Sequence, residues 1–302
     1  MKKKVLIISG PTATGKTSLA IKIARQLKGE LISADSRQIY QGLNIGTGKD
    51  HPPNTPIHLI DIITPDQTFS SAQFQRLATV KIKQIHCRAK LPIIVGGSGY
   101  YINSLISPPT DNHPPSHPLF RKTFNLLPLS FLQALHLIFN RRQFTQLNNS
   151  EKHNPHRLIR KLEVKLFPQS TTLSRPTPAD YDYLHINLTA PTKVIYKNID
   201  RRVKSRLDQG LLSEIQHLLK KYHWSHPGLN TLAYKEFQPY FNHPTPSRLN
   251  SAIHKWRYNE HAYARRQITW FKKRSPLHFF DITSPSFPQE AISLILKWYN
   301  RS

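Results

Sequence analysis

Residues 10–17 read GPTATGKT, and this octapeptide constrains the fold more than any other part of the sequence. It matches the pattern G-x-x-x-x-G-K-[ST], follows an apolar run at residues 5–9 and precedes a helical pattern that extends to residue 27. In that context the glycines allow backbone N–H groups and a helix N-terminus to face phosphate oxygens. The sequence therefore predicts a P-loop that binds a diphosphate or triphosphate group. The phosphate-binding residues are predicted to be Gly10, Pro11, Thr12, Ala13, Thr14, Gly15, Lys16 and Thr17.

The side chains of the loop carry part of its expected chemistry. Lys16 is expected to neutralise phosphate charge, and the Thr17 hydroxyl to bind Mg²⁺, the expected cofactor. A P-loop kinase or ATPase usually places a carboxylate at the end of an apolar strand, but the apolar run at residues 91–95 continues into GGSG. Asp61 could serve instead. The sequence therefore gives only weak support for ATP hydrolysis, without excluding it.

Strand and helix patterns alternate through the first hundred residues. Further strands are predicted at residues 30–34, 58–63 and 91–95, and a helix at residues 71–88. Such alternation is typical of a parallel sheet covered by helices on both faces. The apolar residues available for one face of the helix are Phe74, Leu77, Val80 and Ile85.

Two stretches that contain prolines, at residues 107–118 and 168–178, interrupt this pattern. Helical spacing at residues 119–147 and 156–166 lies between them, which predicts a small helical insertion. A strand is predicted at residues 183–188 and a long basic helix at residues 251–274. The predicted fold is α/β, with a P-loop NTPase-like core and parallel sheet at residues 1–112, a helical insertion at 113–180, and the remainder of the core with a helical C-terminal part at 181–302.

Asp35 follows the second predicted strand, beside the P-loop. A carboxylate at the carboxyl end of a parallel strand faces the ligand crevice, where it could accept a proton or bind magnesium. The alternative is an aspartate that caps the turn after the strand. The residues alone leave both interpretations open.

The chain is strongly basic, with 43 Lys and Arg against 17 Asp and Glu and a formal net charge of +26. Such a surplus favours a polyanionic partner, nucleic acid above all, although a generally basic proteome would also produce it. No run approaches the roughly 20 apolar residues that span a bilayer, so no membrane partner is expected. Cys87 has no second cysteine to pair with, which favours a reducing, cytoplasmic location.

Several separated segments carry a family resemblance. They are GPTATGKT at 10–17, SADSRQIY at 33–40, GLNIGTGK at 42–49, HLID at 58–61, VGGSGYYI at 95–102, HRLIRKLEV at 156–164, GLLSEI at 210–215, LAYKE at 232–236 and RRQITWFKKR at 265–274. In these segments and their order, the chain resembles the tRNA dimethylallyltransferases, or tRNA isopentenyltransferases, over nearly its whole length.

The resemblance implies transfer of a dimethylallyl group from dimethylallyl diphosphate to N6 of the adenosine 3′-adjacent to the anticodon in tRNA, with release of diphosphate. The adenine would be extruded from its loop to reach the donor. The expected partners are dimethylallyl diphosphate and the anticodon stem-loop of tRNA, and we expect a monomer. By resemblance, Asp35 orients and deprotonates the amine, while Lys16, Thr17 with Mg²⁺, and Arg202 stabilise the departing diphosphate.

The resemblance also implies a set of residues that contact tRNA. They are Asp35, Ser36, Arg37, Gln38, Ser98, His156, Arg157, Leu158, Ile159 and Arg160. Without the family, His156, Arg157 and Arg160 would equally suit a solvated basic helix face. In the long basic helix we expect arginines to contact RNA and tryptophans to pack, Trp256 and Trp270 included.

The sequence departs from the family pattern at a few positions. Ile57 stands in place of a histidine, Ala233 in place of a glycine, and Ser98 in place of a threonine. Asn198 and Arg206 replace an arginine and a methionine on either side of Arg202. These changes bear on the geometry of the donor pocket and leave the P-loop and Asp35 unchanged.

Three alternative functions remain on the sequence alone. An adenylate isopentenyltransferase would use the same donor on a free adenine nucleotide, and a P-loop kinase would transfer phosphate from ATP. An RNA-binding protein with a degenerate loop would catalyse nothing. The net charge and the HRLIR segment favour a polynucleotide acceptor.

Overall fold

The computed structural model describes residues 2–50, 52–53, 55–106, 117–167, 181–274 and 277–301. The chain divides into two compact units, one formed by Met1–Pro108 with Pro176–Ser302 and the other by Pro109–Arg175. The ends of the predicted insertion, at 113 and 180, lie outside the described residues, as do most of the first proline-containing stretch and all of the second. The limits of the insertion therefore stay a prediction.

The described strands and helices are as follows. The strands are β1 (Lys3–Ser9), β2 (Gly29–Ser33), β3 (Ile57–His58), β4 (Leu91–Gly96), β5 (Tyr181–Thr189) and β6 (His278–Asp281). The helices are α1 (Lys16–Gln26), α2 (Ser71–Cys87), α3 (Gly99–Ile106), α4 (Pro118–Phe124), α5 (Leu129–Phe139), α6 (Arg141–Thr145), α7 (Asn149–Lys152), α8 (Pro155–Leu166), α9 (Thr192–Asp208), α10 (Leu211–Leu219), α11 (Gln238–Asn242), α12 (Pro246–Lys272) and α13 (Gln289–Tyr299).

The first unit is built on one parallel sheet with strand order β3-β2-β4-β1-β5-β6. Alternate residues of β1 enter different cores: Leu6 and Ile8 pack on one face, and Val5 and Ile7 on the other. All four side chains are fully buried, because helices cover both faces of a parallel sheet. The predicted α/β architecture is confirmed. The carboxyl ends of β1, β2 and β4 meet at one edge, where P-loop folds bind ligands.

The third strand is shorter than predicted. It comprises Ile57–His58 only, whereas the sequence indicated residues 58–63. Leu59 and Asp61 have φ values of 62° and 54°, in the left-handed region that is incompatible with an extended strand. The chain therefore turns away from the sheet after two paired residues.

The predicted helix at 71–88 is present as α2, and Ser70 with Gln73 forms a capping box at its start. Its buried face was predicted only in part. Phe74 and Ile85 are buried as expected, but Val80 is 46% exposed. The buried row continues instead through Ala78 and Ile82, which follow Phe74 at the four-residue spacing of one helix face.

The C-terminal part of the first unit is mainly helical. Helices α9, α10 and α12 share a core with the segment after β2, and Trp256 is fully buried in it. The predicted packing role of this tryptophan is confirmed. The long basic helix predicted at 251–274 is α12, which begins at Pro246 and is capped by the side chain of Thr245.

The second unit consists, in the residues described, of helices α4 to α8. Leu132, Phe144, Leu158 and Ile159 form its small core. Glu163 is also buried in this unit. Burial raises the pKa of its carboxyl, but hydrogen bonds from Arg121 and Arg160 outweigh that effect and hold the pKa near 2. Across both units, none of the described helices combines the length and apolar character needed to cross a membrane.

Candidate active site

The P-loop connects β1 to α1 and requires glycine at its first position. Gly10 has a φ of +138°, and a Cβ there would lie 2.3 Å from the carbonyl oxygen of Leu188 on β5. Gly15 precedes α1 with a φ of 77°. The Thr14 hydroxyl donates to the carbonyl of Pro11 at 2.9 Å. The loop is thus shaped by backbone conformations that other residues rarely adopt.

Lys16 opens helix α1 and points back over the loop. Its Nζ donates to the carbonyl of Pro11 at 2.6 Å. Burial, and then the charge of Arg202, lower the pKa of Lys16 to about 7. An anion placed beside this buried amine would favour its charged form and raise its pKa.

A cleft opens at the carboxyl edge of the sheet, with an empty volume of about 640 Å³ that includes its solvent-open part. It is lined by the P-loop, by the ends of β2 and β4, by residues 47–50 and by α9. The lining residues are Thr12, Lys16, Thr17, Ser33, Asp35, Arg37, Gln38, Thr47, Gly48, Asp50, Ile57, Val95, Gly96, Gly97, Arg202, Arg206 and Gln267. All four of the residues predicted to be catalytic lie in this one cleft.

Asp35 lies two residues beyond β2. Its Oδ1 accepts the backbone N–H of Arg37 at 2.9 Å, and the same carboxylate lines the cleft. The capping role and the site role, which the sequence offered as alternatives, are therefore compatible. The Ser98 hydroxyl accepts the backbone N–H of Ser36 at 2.9 Å, so the position predicted from a family threonine holds the segment that carries Asp35.

The neighbours of Asp35 face inward. Arg37 donates from Nη1 to Glu260 at 3.0 Å, and its guanidinium lies 4.6 Å from the ring centre of Tyr263. Gln38 accepts from Ser33 Oγ at 2.9 Å and donates to the carbonyl of Gly48 at 3.1 Å. Any RNA contact by these two residues would occur within the cleft.

Helix α9 supplies further cations to the lining of the cleft, Arg202 and Arg206. Arg202 Nη1 donates to Thr12 Oγ1 at 3.3 Å, which ties the predicted leaving-group arginine to the P-loop. Arg206 donates to the carbonyl of Gly46 at 3.0 Å, and Asn198 donates to the carbonyl of Ala13 at 3.2 Å. Both departures from the family beside Arg202 thus bind backbone carbonyls near the cleft.

Glu214 on α10 holds the loop before Gly48, a role that the sequence did not reveal. Its carboxylate accepts the backbone N–H groups of Asn44, Ile45 and Gly46 at 2.9, 2.8 and 3.2 Å. It also accepts the Tyr234 hydroxyl at 2.6 Å. Ala233, at the position of a family glycine, has a φ of 76°, so the left-handed backbone that suits glycine is kept with alanine.

Gln267 on α12 was also missed. Its Oε1 accepts the backbone N–H of Thr12 at 2.8 Å, and its Nε2 donates to the carbonyl of Gly97 at 3.0 Å. A Cβ on Gly97 would lie 2.1 Å from that Nε2, so glycine is needed there. Glu214 and Gln267 both lie in segments that carry the family resemblance, which is the signal that the sequence offers for them.

The donor set in the cleft fits a magnesium ion shared with a ligand. Thr17 and Asp35 place a hydroxyl and a carboxylate among the lining residues, and Mg²⁺ commonly takes few protein oxygens together with phosphates and waters. Among the described residues, no three His, Cys, Asp or Glu side chains gather into a metal site. The protein would therefore hold the ion only in part, through the predicted ligand Thr17.

The second unit carries the other residues predicted to contact tRNA, on α8. His156 and Arg157 are exposed, and Arg160 is half-buried beside Glu163. Leu158 and Ile159 are 0% and 2% exposed in the core of the unit. This corrects the prediction for these two side chains, because they support the helix and leave its polar face to contact a ligand.

The fold and the cleft define an α/β protein of the P-loop type whose basic cleft suits a diphosphate. A family model described as IPP transferase matches residues 38–274. A tRNA dimethylallyltransferase of Roseiflexus sp. strain RS-1 is 35% identical over 307 residues, covering 97% of this chain and 98% of its own. That of Bacillus subtilis strain 168 is 35% identical over 296 residues, covering 94% and 92%.

Solved structures agree with these sequence relatives. The full-length tRNA isopentenylpyrophosphate transferase of Bacillus halodurans superposes with a TM-score of 0.72 at 31% identity, covering 99% of this chain and 96% of its own. The enzyme of Staphylococcus epidermidis gives a TM-score of 0.71 at 30% identity and full coverage of both chains. The chain therefore belongs to the IPP transferase family.

Proposed function

We propose that this protein transfers a dimethylallyl group from dimethylallyl diphosphate to N6 of the adenosine 3′-adjacent to the anticodon in tRNA and releases diphosphate. One observation carries the proposal: Lys16, Arg202 and the Asp35 carboxylate line a single cleft. This arrangement supports a reaction in which one set of groups holds a leaving diphosphate and a carboxylate accepts a proton. The names of the relatives support the same reaction.

The P-loop wall acts on the donor. The bond between the allylic carbon and the diphosphate oxygen breaks, and its electron pair leaves with the oxygen. The loop N–H groups, Lys16 and Arg202 stabilise the negative charge that develops there. Mg²⁺ held at Thr17 and the phosphates would supply further charge neutralisation. Transition-state stabilisation thus falls mainly on the leaving group.

The Asp35 wall acts on the acceptor. The adenine amine forms a bond to the allylic carbon and must lose a proton. A carboxylate fixed by the Arg37 backbone N–H and lining the cleft can orient that amine and accept the proton. The base must leave its stack to reach Asp35, as enzymes that modify base edges generally require.

The choice of tRNA over a free nucleotide follows from charge. The formal net charge of +26 attracts a polyanion through counterion release. His156 and Arg157 are exposed on α8 and suit phosphate contacts. The expectations of a monomer and of a cytoplasmic location remain predictions.

A kinase activity is less well supported. Asp61 is the carboxylate that could hold a magnesium-bound water in an ATPase. It accepts a hydrogen bond from Lys49 Nζ at 2.5 Å, and its own backbone is in the left-handed region. It is absent from the residues that line the described cleft. The carboxylates among the lining residues are instead Asp35 and Asp50.

The test compares acceptors directly. The protein is incubated with labelled dimethylallyl diphosphate and either tRNA or AMP, and label in each acceptor is measured together with released diphosphate. We expect label in tRNA only. Label found only in AMP would overturn the choice of acceptor, and ATP consumption without prenyl transfer would overturn the proposal.

A further inference from the structure

Glu260 is a buried acid in the middle of helix α12. It is 2% exposed, and its Oε2 has no hydrogen-bond partner among the described residues. Burial opposes ionisation of this carboxyl, but Arg37 and Arg206 hold its pKa below the ordinary value. The side chain is therefore an anion inside the protein, and a buried anion with an unused oxygen is costly.

Cations of the cleft surround this anion. Glu260 Oε1 accepts Arg37 Nη1 at 3.0 Å and Trp256 Nε1 at 3.4 Å, and it lies 3.9 Å from Arg206 Nη1. Glu260 and Arg202 also line a small cavity behind the cleft. Two arginines that line the cleft, Arg37 and Arg206, thus share one buried carboxylate, and Arg202 lines a cavity with it.

The cations need such a partner because they repel one another. Burial, and then Arg202, lower the pKa of Arg206 to about 10. Burial also lowers the pKa of Arg202. The charge of Glu260 acts in the opposite direction, and the charge of Arg37 adds to the lowering. A cluster of desolvated guanidinium groups without a counter-charge would bind any multivalent anion tightly, product included.

We propose that the negative charge of Glu260 partly neutralises Arg37 and Arg206 and thereby weakens the binding of diphosphate in the cleft, so that the product leaves. The inference rests on the proposed function, since it assigns diphosphate to the cleft. Glu260 does not line the main cleft, so it acts through the arginines.

The test uses inorganic diphosphate as the probe, titrated calorimetrically into the full-length protein at fixed ionic strength with excess magnesium. Glu260→Gln keeps the size of the side chain and removes its charge. We expect diphosphate to bind about fivefold more tightly, because a negative charge beside two cations of the cleft is removed from a poorly solvated region. Steady-state inhibition by diphosphate should strengthen by the same factor.

The direction of the change separates this role from a structural one. If Glu260 only supported the fold, its loss would loosen the arginines and weaken diphosphate binding. Arg206→Met alone should weaken binding. Glu260→Gln combined with Arg206→Met should return the affinity to within about twofold of the wild type, because one substitution removes a negative charge and the other a positive charge. If Glu260→Gln does not fold, tighter binding by the double variant than by Arg206→Met decides in favour of the proposal.

Glu30→Gln is the matched control. Glu30 is a buried carboxylate that accepts Arg88 and Lys90 at the start of β2, whereas the cleft lies beyond the end of that strand. This variant should lose stability and keep its diphosphate affinity. Unchanged or weaker binding by Glu260→Gln would overturn the inference, whereas a wild-type protein that binds no diphosphate would overturn the proposed function itself.

Discussion

Gln267 binds the backbone of the P-loop at Thr12: its Oε1 accepts the Thr12 N–H at 2.8 Å. The other end of the same amide donates to the carbonyl of Gly97, after β4, at 3.0 Å. One side chain of α12 therefore joins the loops that follow two neighbouring strands. This amide therefore helps to fix the shape of the cleft between those loops.

Gln267→Ala should lower both stability and donor affinity. The substitution leaves a buried N–H and a buried carbonyl without partners, which costs about 1–3 kcal/mol for each unsatisfied group. Urea unfolding measures the first effect, and the KM for dimethylallyl diphosphate the second. Gln209→Ala is the control, because the side chain of that exposed glutamine donates to Ser205 Oγ, a neighbour on α9 far from the P-loop in sequence. Equal changes in stability and KM in the two variants would contradict the role of Gln267 in holding the P-loop.

Asp35→Ala should abolish prenyl transfer while tRNA binding is largely retained. Loss of a general base costs about 10²- to 10⁴-fold in rate, and phosphate contacts elsewhere continue to hold the RNA. Single-turnover transfer and filter binding measure the two properties. Asp50→Asn serves as control, since Asp50 lines the same cleft and should retain most activity. Unchanged activity in Asp35→Ala would favour a non-catalytic RNA-binding protein.

Donor binding should depend on pH through Lys16. Its pKa of about 7 in the folded protein means that the ammonium is largely lost above neutrality, whereas a bound diphosphate favours the charged form. The affinity for dimethylallyl diphosphate should therefore fall by up to about tenfold per pH unit between pH 7.5 and 9. Lys16→Arg remains charged and should bind with little pH dependence. Parallel pH profiles for the two proteins would exclude this explanation.

His185 should make the protein less stable in mild acid. Its ring lies 2.7 Å from Ser9 Oγ beneath the P-loop, and burial, then His278, lower its pKa to about 4. Between pH 6.5 and 4 the unfolded chain binds more protons at this residue, so the free energy of unfolding falls as the pH falls, by up to about 1.4 kcal/mol per unit. Above pH 6.5 the effect vanishes.

Denaturant unfolding across that range measures the slope in the wild type and in His185→Gln. The variant should retain a smaller slope, because burial also lowers the pKa values of His86 and His136. An identical slope in both proteins would show that His185 is not the responsible group.

Arg157 should contribute to tRNA affinity through phosphate. Arg157→Ala should weaken binding at every tRNA sequence tested and reduce the slope of log affinity against log salt by about 1. Arg76 is an exposed arginine on α2, and Arg76→Ala is the comparison variant, expected to be neutral. A sequence-dependent effect of Arg157→Ala would indicate base contact instead.

Local patterns were sufficient for the sheet but not for the walls of the cleft. Four of the five predicted strands closely match the structure because apolar runs and the P-loop mark them directly. The short β3 could not be foreseen, because the left-handed Leu59 and Asp61 are ordinary residues in the sequence. Phe74 and Val80 were placed on one face by residue type, whereas only the helical phase decides burial.

The contacts that complete the site join distant parts of the chain. Glu214 lies 168 to 170 positions from the backbone groups that it binds, and Arg37 lies 223 positions from Glu260. No local pattern links such pairs. The residues with predicted roles, Lys16, Asp35 and Arg202, were found because motif and family pattern marked them individually.

The amide of Gln267 has a consequence for synthesis of the protein. The P-loop is translated before helix α12, but its contact at Thr12 comes from a residue of α12 that lies 255 positions later in the chain. Domains fold as units while the chain is made, and here the unit closes only after α12 has been made. A nascent chain arrested before α12 would carry the complete phosphate motif without the contact that fixes it.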